Sequence, residues 1–299
     1  MKKGNRARRS KRGWEGVLFA GPAILGFLIF TIGPMAASLV YSFTDYALVN
    51  DWKFIGFDNY AELFSGEDPY FYQALKVTLY YTVVSVPLQL IVAFLFAILL
   101  NQDVKFKSVF RTIFYMPSIV PAVAAAMVWM WVLDPDLGVL NNLLQSLHLP
   151  TGRWIYDETT VIPSLALMSL WTVGGTMVIF LAGLQDIPQQ LYEAAKIDGG
   201  NAWQRLCRIT VPMMTPTIFF NLVMGMIGGL QTFSQAYIMT GGGPNNASLF
   251  YAFYLYRQAF SFGRMGSASA IAWVLFVIVL VLTVIAFRSS GKWVYYEEG

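Results

Sequence analysis

The sequence predicts an all-α polytopic membrane protein with six transmembrane helices. The first observation is composition: of 299 residues, 57% are hydrophobic and only 12% are charged, too few charges for a soluble domain of this size. The second is that six segments carry no Asp, Glu, Lys or Arg: Gly16–Thr44, Val77–Gln102, Thr112–Leu133, Thr159–Gln185, Met213–Tyr256 and Met265–Phe287. Each reaches the ~20 helical residues that cross a hydrocarbon core of ~30 Å. Backbone groups in lipid must be satisfied within the segment, so the segments are helices; a β-barrel would show short alternating stretches instead. The third is that charge sorts by side. Lys2, Lys3, Arg6, Arg8, Arg9, Lys11 and Arg12 precede the first span. Beside a span, such a run is a positive-inside anchor rather than a nucleic-acid arm, and no nucleic-acid partner is expected. Alternating sides from there leaves only Lys53, Lys76, Arg153, Arg257 and Arg264 outside, out of 20 lysines and arginines. Both termini are therefore expected in the cytoplasm, in a bacterial-type plasma membrane with lipid around the bundle.

In chain order, residues 1–15 form the basic N-terminus, and 16–74 hold span one and an external segment. Residues 75–287 hold the five remaining spans, and 288–299 a cytoplasmic tail. The external segment, with Trp52, Phe54, Phe57, Tyr60 and Phe64, reads as a small, partly helical cap with interface aromatics. Span two contains Pro87 and Gln89. In span three, Ser118, Ala122 and Ala126 are spaced by four, a small-residue face for close helix contact. A turn follows at Asp134–Gly138. Gly174 and Gly175 in span four suggest tight packing or a kink. Span five is expected to be helical over its first half or so. It carries Gly225-x-x-x-Gly229, and helical spacing puts Gly228, Gln231, Thr232 and Gln235 on one stripe, with Ser234 and Tyr237 nearby. Hydrogen-bonding side chains at membrane depth face either protein or water. The stripe therefore lines an aqueous path or makes interhelical hydrogen bonds. Span six is the most uniformly apolar.

A polar interruption, residues 185–212, divides spans four and five. It reads as helix, bend, helix. Asp186 with Gln189 forms one expected capping box, and Gly199-Gly200 stops the first helix. Asn201 with Gln204 forms the second box, and Pro212 ends the second helix. Leu191, Ala194, Ala195 and Asp198 share a face with small residues at its centre, which lets another surface come close. A plain membrane-surface loop is the alternative.

Chemistry is conspicuous by absence. The chain has no phosphate-binding Gly-x-x-x-x-Gly-Lys-Ser/Thr loop and no His-Glu-x-x-His. The single histidine, His148, sits in a loop without partners for a metal, so no metal site is expected. One cysteine, Cys207, rules out an intrachain disulfide. No carboxylate lies within a span to relay protons or hold sodium. This is the profile of a translocation pathway whose energy source lies elsewhere. A self-sufficient channel or ion-coupled carrier is the rival from another class.

The interruption resembles the EAA loop of the membrane subunits of binding-protein-dependent ABC importers. Glu193-Ala194-Ala195, Gly199, Ile209 and Val211-Pro212 keep that motif's spacing, with Val211 replacing leucine. Tyr115-Met116-Pro117, the run Trp131–Asn141 and Thr240-Gly241-Gly242-Gly243-Pro244 resemble the carbohydrate-uptake permeases, within them the first-subunit type of the maltose and glycerol-phosphate systems. The resemblance implies the type I importer (MetI-like) transmembrane fold and no enzymatic activity in this chain. It also implies a homologous second permease, two ATP-binding cassette ATPase subunits that bind ATP and Mg, an extracellular substrate-binding protein and a carbohydrate substrate. The chain itself is expected to hold no cofactor. Residue by residue, it implies that Glu193 contacts the ATPase and that Ala194 and Ala195 permit close approach. Asp198 lies on the same face, and Gly199 makes the turn. It also places Gly228, Gln231, Thr232, Ser234, Gln235 and Tyr237 along the substrate pathway. These side chains are polar and uncharged, which suits an oligosaccharide; glycerol phosphate or a uronic-acid oligomer is the alternative.

Overall fold

A computed structural model describes residues 17–47, 52–102 and 105–295. The basic run at Lys2–Arg12 lies outside the described residues. Apart from one antiparallel bridge between Thr44 and Phe54, every regular element described is helical. Leaving aside short turns of 3-10 or π type at Trp154–Tyr156, Ala236–Thr240 and Arg257–Ser261, in order these are α1 (Val17–Tyr41), α2 (Asp58–Ser65), α3 (Pro69–Asn101), α4 (Lys107–Ile119), α5 (Ala122–Val132), α6 (Val139–Ser146), α7 (Val161–Thr172), α8 (Gly174–Asp186), α9 (Gln189–Ile197), α10 (Ala202–Leu230), α11 (Tyr251–Tyr256) and α12 (Met265–Ser290).

Helices α1, α3, α10 and α12 are each long and apolar enough to cross a membrane. The other two expected spans are broken: α4 and α5 meet at 99°, and α7 and α8 at 52°. Counting each broken pair as one span gives six. The first break corrects the expected small-residue face. Pro121 has no N–H and forces Val120 into extended backbone (ψ 131°), so the helix restarts at Ala122. Ser118 therefore shares no face with Ala122 and Ala126. At the second break both readings of Gly174 hold. A Cβ there would stand 2.4 Å from the Phe114 carbonyl oxygen, so only glycine lets α8 begin against the end of α4.

The chain divides into two compact units. One comprises residues 1–65 with 256–274. Its α1 has no buried residue along the apolar stretch. A π-turn at Leu28–Ile32, closed by the Gly33 N–H on the Leu28 carbonyl, absorbs the donor that Pro34 lacks. The segment read as a cap follows. Asn59 donates to the Ser42 and Thr44 carbonyls (2.9 and 2.8 Å), and Arg264 makes a forked ion pair with Glu62 (2.6 and 2.7 Å).

The second unit, residues 66–255 with 275–299, holds the bundle core. Helix α3 is its axis. Ala93 and Ala97, one turn apart and fully buried, leave room for Met177, Phe180, Leu181 and Leu184 of α8. Met214 of α10 completes that layer. In lipid, apolar surface alone does not drive helices together; close van der Waals contact between small and large residues does. Outside the spans, Asn141 organises the turn after α5. It donates to the Pro135 and Gly152 carbonyls (2.8 and 2.9 Å) and accepts from the Trp154 indole (2.8 Å). Asn141 is thus a structural hub of the Trp131–Asn141 run.

Candidate functional site: an exposed loop helix and a membrane-depth cavity

The loop between α8 and α10 folds largely as its sequence dictates. Helix α9 ends in a Schellman turn: the Gly200 N–H reaches the Ala195 carbonyl (2.8 Å) and the Gly199 N–H the Lys196 carbonyl (3.2 Å). Gly199 has φ +79°, the left-handed conformation this turn requires. The second capping box forms, with Gln204 N–H on Asn201 Oδ1 (2.8 Å) and Asn201 N–H on Gln204 Oε1 (2.9 Å).

Two expectations are corrected. Asp186 caps nothing: it is the last residue of α8, and α9 starts after Pro188 without a side-chain cap. The extended Ile187–Pro188 link (ψ 125° and 126°) separates the two helices, so Asp186 lies outside the N-cap position. Nor does Pro212 end the second helix. A π-turn at Leu206–Thr210 shifts the hydrogen-bond ladder ahead of Pro212, and the helix runs on as α10 to Leu230. The loop is therefore continuous with span five.

No residue of α9 is buried. A nine-residue helix is marginal in water by itself. Its N-terminal half is held instead: Ile187 just before it is buried, and the Tyr192 hydroxyl meets Thr210 Oγ1 (2.9 Å) across the loop. Glu193, Ala194, Asp198 and Gly199 are exposed and Ala195 is half-buried. Beyond them Ile197 is 87% and Trp203 70% exposed. A Cβ built on Gly199 would meet nothing within 4 Å. The helix thus presents small and acidic residues outward on a short, braced arm.

At membrane depth, the Gly225-x-x-x-Gly229 face packs within the chain. A Cβ at Gly225 would lie 3.0 Å from Val86, and one at Gly229 2.9 Å from Thr82 Oγ1. Beside this contact α3, α8 and α10 line a half-open cavity of about 380 Å³ with Gln89, Gly175, Thr176, Asn221 and Met224 in its wall. No charged side chain lines it. Gln89 donates to Ser169 Oγ (2.8 Å), and Asn221 to the Thr217 carbonyl (2.8 Å). Tyr81 has Ser169, Ser85 and Thr232 as polar neighbours.

The expected stripe on span five is not one helical face. Helix α10 stops at Leu230, tightening through bonds from Gln231 N–H to the Gly228 carbonyl and Thr232 N–H to the Gly229 carbonyl (3.2 and 3.3 Å). Two adjacent glycines lower the cost of leaving the helix there. Helical turns resume at Ser234 and end at Gly241, which is left-handed (φ +58°). Thr232 bonds back to Gly228 (3.3 Å), and Tyr237 stacks on Phe233 (5.2 Å). Gly228, Gln231 and Tyr237 are exposed; Thr232, Ser234 and Gln235 are half-buried. None of these six lines the cavity. The residues that do, Gln89, Thr176 and Asn221, went unassigned in the sequence. The available signal was the row Tyr81, Ser85 and Gln89, spaced by four along span two.

Residues 89–291 match the family described as binding-protein-dependent transport system inner membrane component. The chain belongs to this family. The permease is 44% identical to the "Probable ABC transporter permease protein YesP" of Bacillus subtilis, over 100% of this chain and 96% of that one. It is 37% identical to the lactose transport system permease protein LacF of Rhizobium radiobacter, over 91% and 92% of the two chains. Its fold superposes with TM-score 0.84 on a chain of a bacterial alginate ABC transporter crystallised with an alginate pentasaccharide-bound periplasmic protein. That match has 27% identity and covers 95% and 96% of the chains. The permease is accordingly a membrane protein of the ABC importer type, and its family is one of transport subunits.

Proposed function

We propose that this permease is one of two homologous membrane subunits of an ATP-driven importer for an oligosaccharide, and that α9 is where the ATPase pushes. The observation that carries the reading is α9 itself: an unburied nine-residue helix, braced through its N-terminal half and joined by the Gly199 turn to α10, which runs on as span five. Burial against a partner is what would stabilise such a helix. Glu193 supplies a charged contact, Ala194 and Ala195 the close approach, Asp198 the end of the same face and Gly199 the turn. An ATPase on that surface places the loop and both termini in the cytoplasm. ATP and Mg are held by two ATPase subunits, and an external binding protein delivers the sugar.

A saccharide would suit the polar groups of the cavity. Its wall offers amide and hydroxyl groups without charge, matching a neutral polyhydroxylated ligand. Lactose in the name of one relative and alginate, an acidic polysaccharide, in that of a structural neighbour support a carbohydrate, the first of them neutral. Gly228, in the last turn of α10, and Gln231, Thr232, Ser234, Gln235 and Tyr237, beyond its end, would continue the path. The test is reconstitution in vesicles. Labelled sugar is expected to enter only when the second permease, the ATPase, ATP and the binding protein are all present. Uptake by this chain alone, without ATP, would overturn the proposal in favour of a channel or carrier.

A further inference from the structure

The tail after α12 folds back onto α10. Trp293 N–H and Val294 N–H return to the Ser290 carbonyl (3.1 and 2.8 Å). Val294 is 8% exposed and packs with Phe219 and Val223. Phe219 is held edge-on between Phe287 (5.0 Å) and Trp293 (5.8 Å). The Tyr295 N–H then donates to Thr215 Oγ1 (2.9 Å), whose hydroxyl donates to the Pro212 carbonyl (2.6 Å).

That last pair has a physical reason. Pro216 has no N–H, so the Pro212 carbonyl loses its ordinary helical partner. Thr215 supplies a donor in its place, and Tyr295 uses the hydroxyl's remaining acceptor capacity. This repair lies in a stretch of α10 softened by the π-turn at Leu206–Thr210 and by two prolines. The same stretch joins the Gly199 turn to the cavity-lining Asn221. A push at one end reaches the other only if the helix between does not bend.

We propose that Trp293–Tyr295 are positioning residues for transport: a strap that stiffens the loop end of α10 so that motion of α9 reaches the cavity. The inference rests on the coupling role proposed for α9. Its test uses the complete complex reconstituted in vesicles, measuring sugar moved per ATP hydrolysed. Truncation after Gly291 removes the strap. Tyr295→Pro removes the donating N–H together with the ring, and Tyr295→Phe keeps both. The truncated and proline forms are expected to assemble and hydrolyse ATP while sugar per ATP falls about fivefold or more, the low end of coupling between linked sites. Tyr295→Phe is expected to match wild type. A wild-type ratio in the truncated and proline forms, beside an uncoupled Gly199→Asp, would overturn the strap alone. Normal transport by Gly199→Asp would instead overturn the coupling role beneath it. Failure of Tyr295→Pro to assemble would also overturn the inference, because the strap would then be a folding element.

Discussion

Gly199→Asp is expected to abolish ATP-dependent uptake while leaving membrane insertion and recovery of the complex unchanged. Within the chain the substitution is mild. Gly199 faces open space, so an added side chain meets no neighbour. The left-handed backbone at φ +79° costs a non-glycine residue about 1–2 kcal/mol, least for Asp and Asn. The fall in uptake is expected to exceed tenfold, about 1.4 kcal/mol or more of lost coupling. Local strain in an exposed turn does not account for a loss of that kind. A partner surface closed against the turn does, because a carboxylate there is buried without a counter-charge. Gly199→Asn separates the two causes, since Asn tolerates the turn but still occupies the space. Both variants are expected to fail. Full uptake by Gly199→Asn would assign the loss in the Asp variant to charge rather than to close approach.

Gln89→Leu is the second large effect. Gln89 combines a bond to Ser169 with a place in the cavity wall. Leucine keeps the approximate volume and removes both polar ends. A site built to hydrogen-bond a substrate hydroxyl loses orders of magnitude when that partner goes, whereas an apolar contact is worth far less. Sugar uptake is expected to drop at least about tenfold, with ATP hydrolysis by the complex retained. Gln89→Glu probes the charge preference. A neutral sugar predicts similar loss with either variant, and an anionic one predicts a deeper loss with Gln89→Glu than with Gln89→Leu. Unchanged uptake with Gln89→Leu would remove this cavity from the pathway.

The spans were legible because an uncharged run of twenty or more residues has few soluble alternatives. The Schellman turn and the Asn201 box were legible because each is local, closing within six residues. Asp186 misled for the same reason that Asn201 succeeded. Both carry a capping side chain three residues ahead of Gln, but only Asn201 stands at the end of a helix break; Asp186 was claimed by the helix before it. Pro212 misled because a π-turn repairs the missing donor, and a π-turn has no strong sequence signature. The cavity was hidden because Gln89, Thr176 and Asn221 come from three helices far apart in sequence. The Gln231–Gln235 cluster drew attention by its density, while the spaced row Tyr81, Ser85 and Gln89 is one polar residue per turn within an apolar run. The tail was unreadable for a related reason: Tyr295 meets Thr215 across 80 residues of chain.

The central claim is that α9 sits against an ATPase. Cross-linking tests it most directly, because Cys207 is the one cysteine and is exposed. With Cys207→Ser as background, Glu193→Cys in the intact complex is expected to cross-link to the ATPase subunit through a short thiol reagent. Asp136→Cys, on the turn that the proposed orientation puts outside, is expected not to. If Glu193→Cys gives no ATPase adduct, and instead reacts with a membrane-impermeant thiol reagent added outside intact cells, the loop lies on the wrong side of the membrane and the account is contradicted.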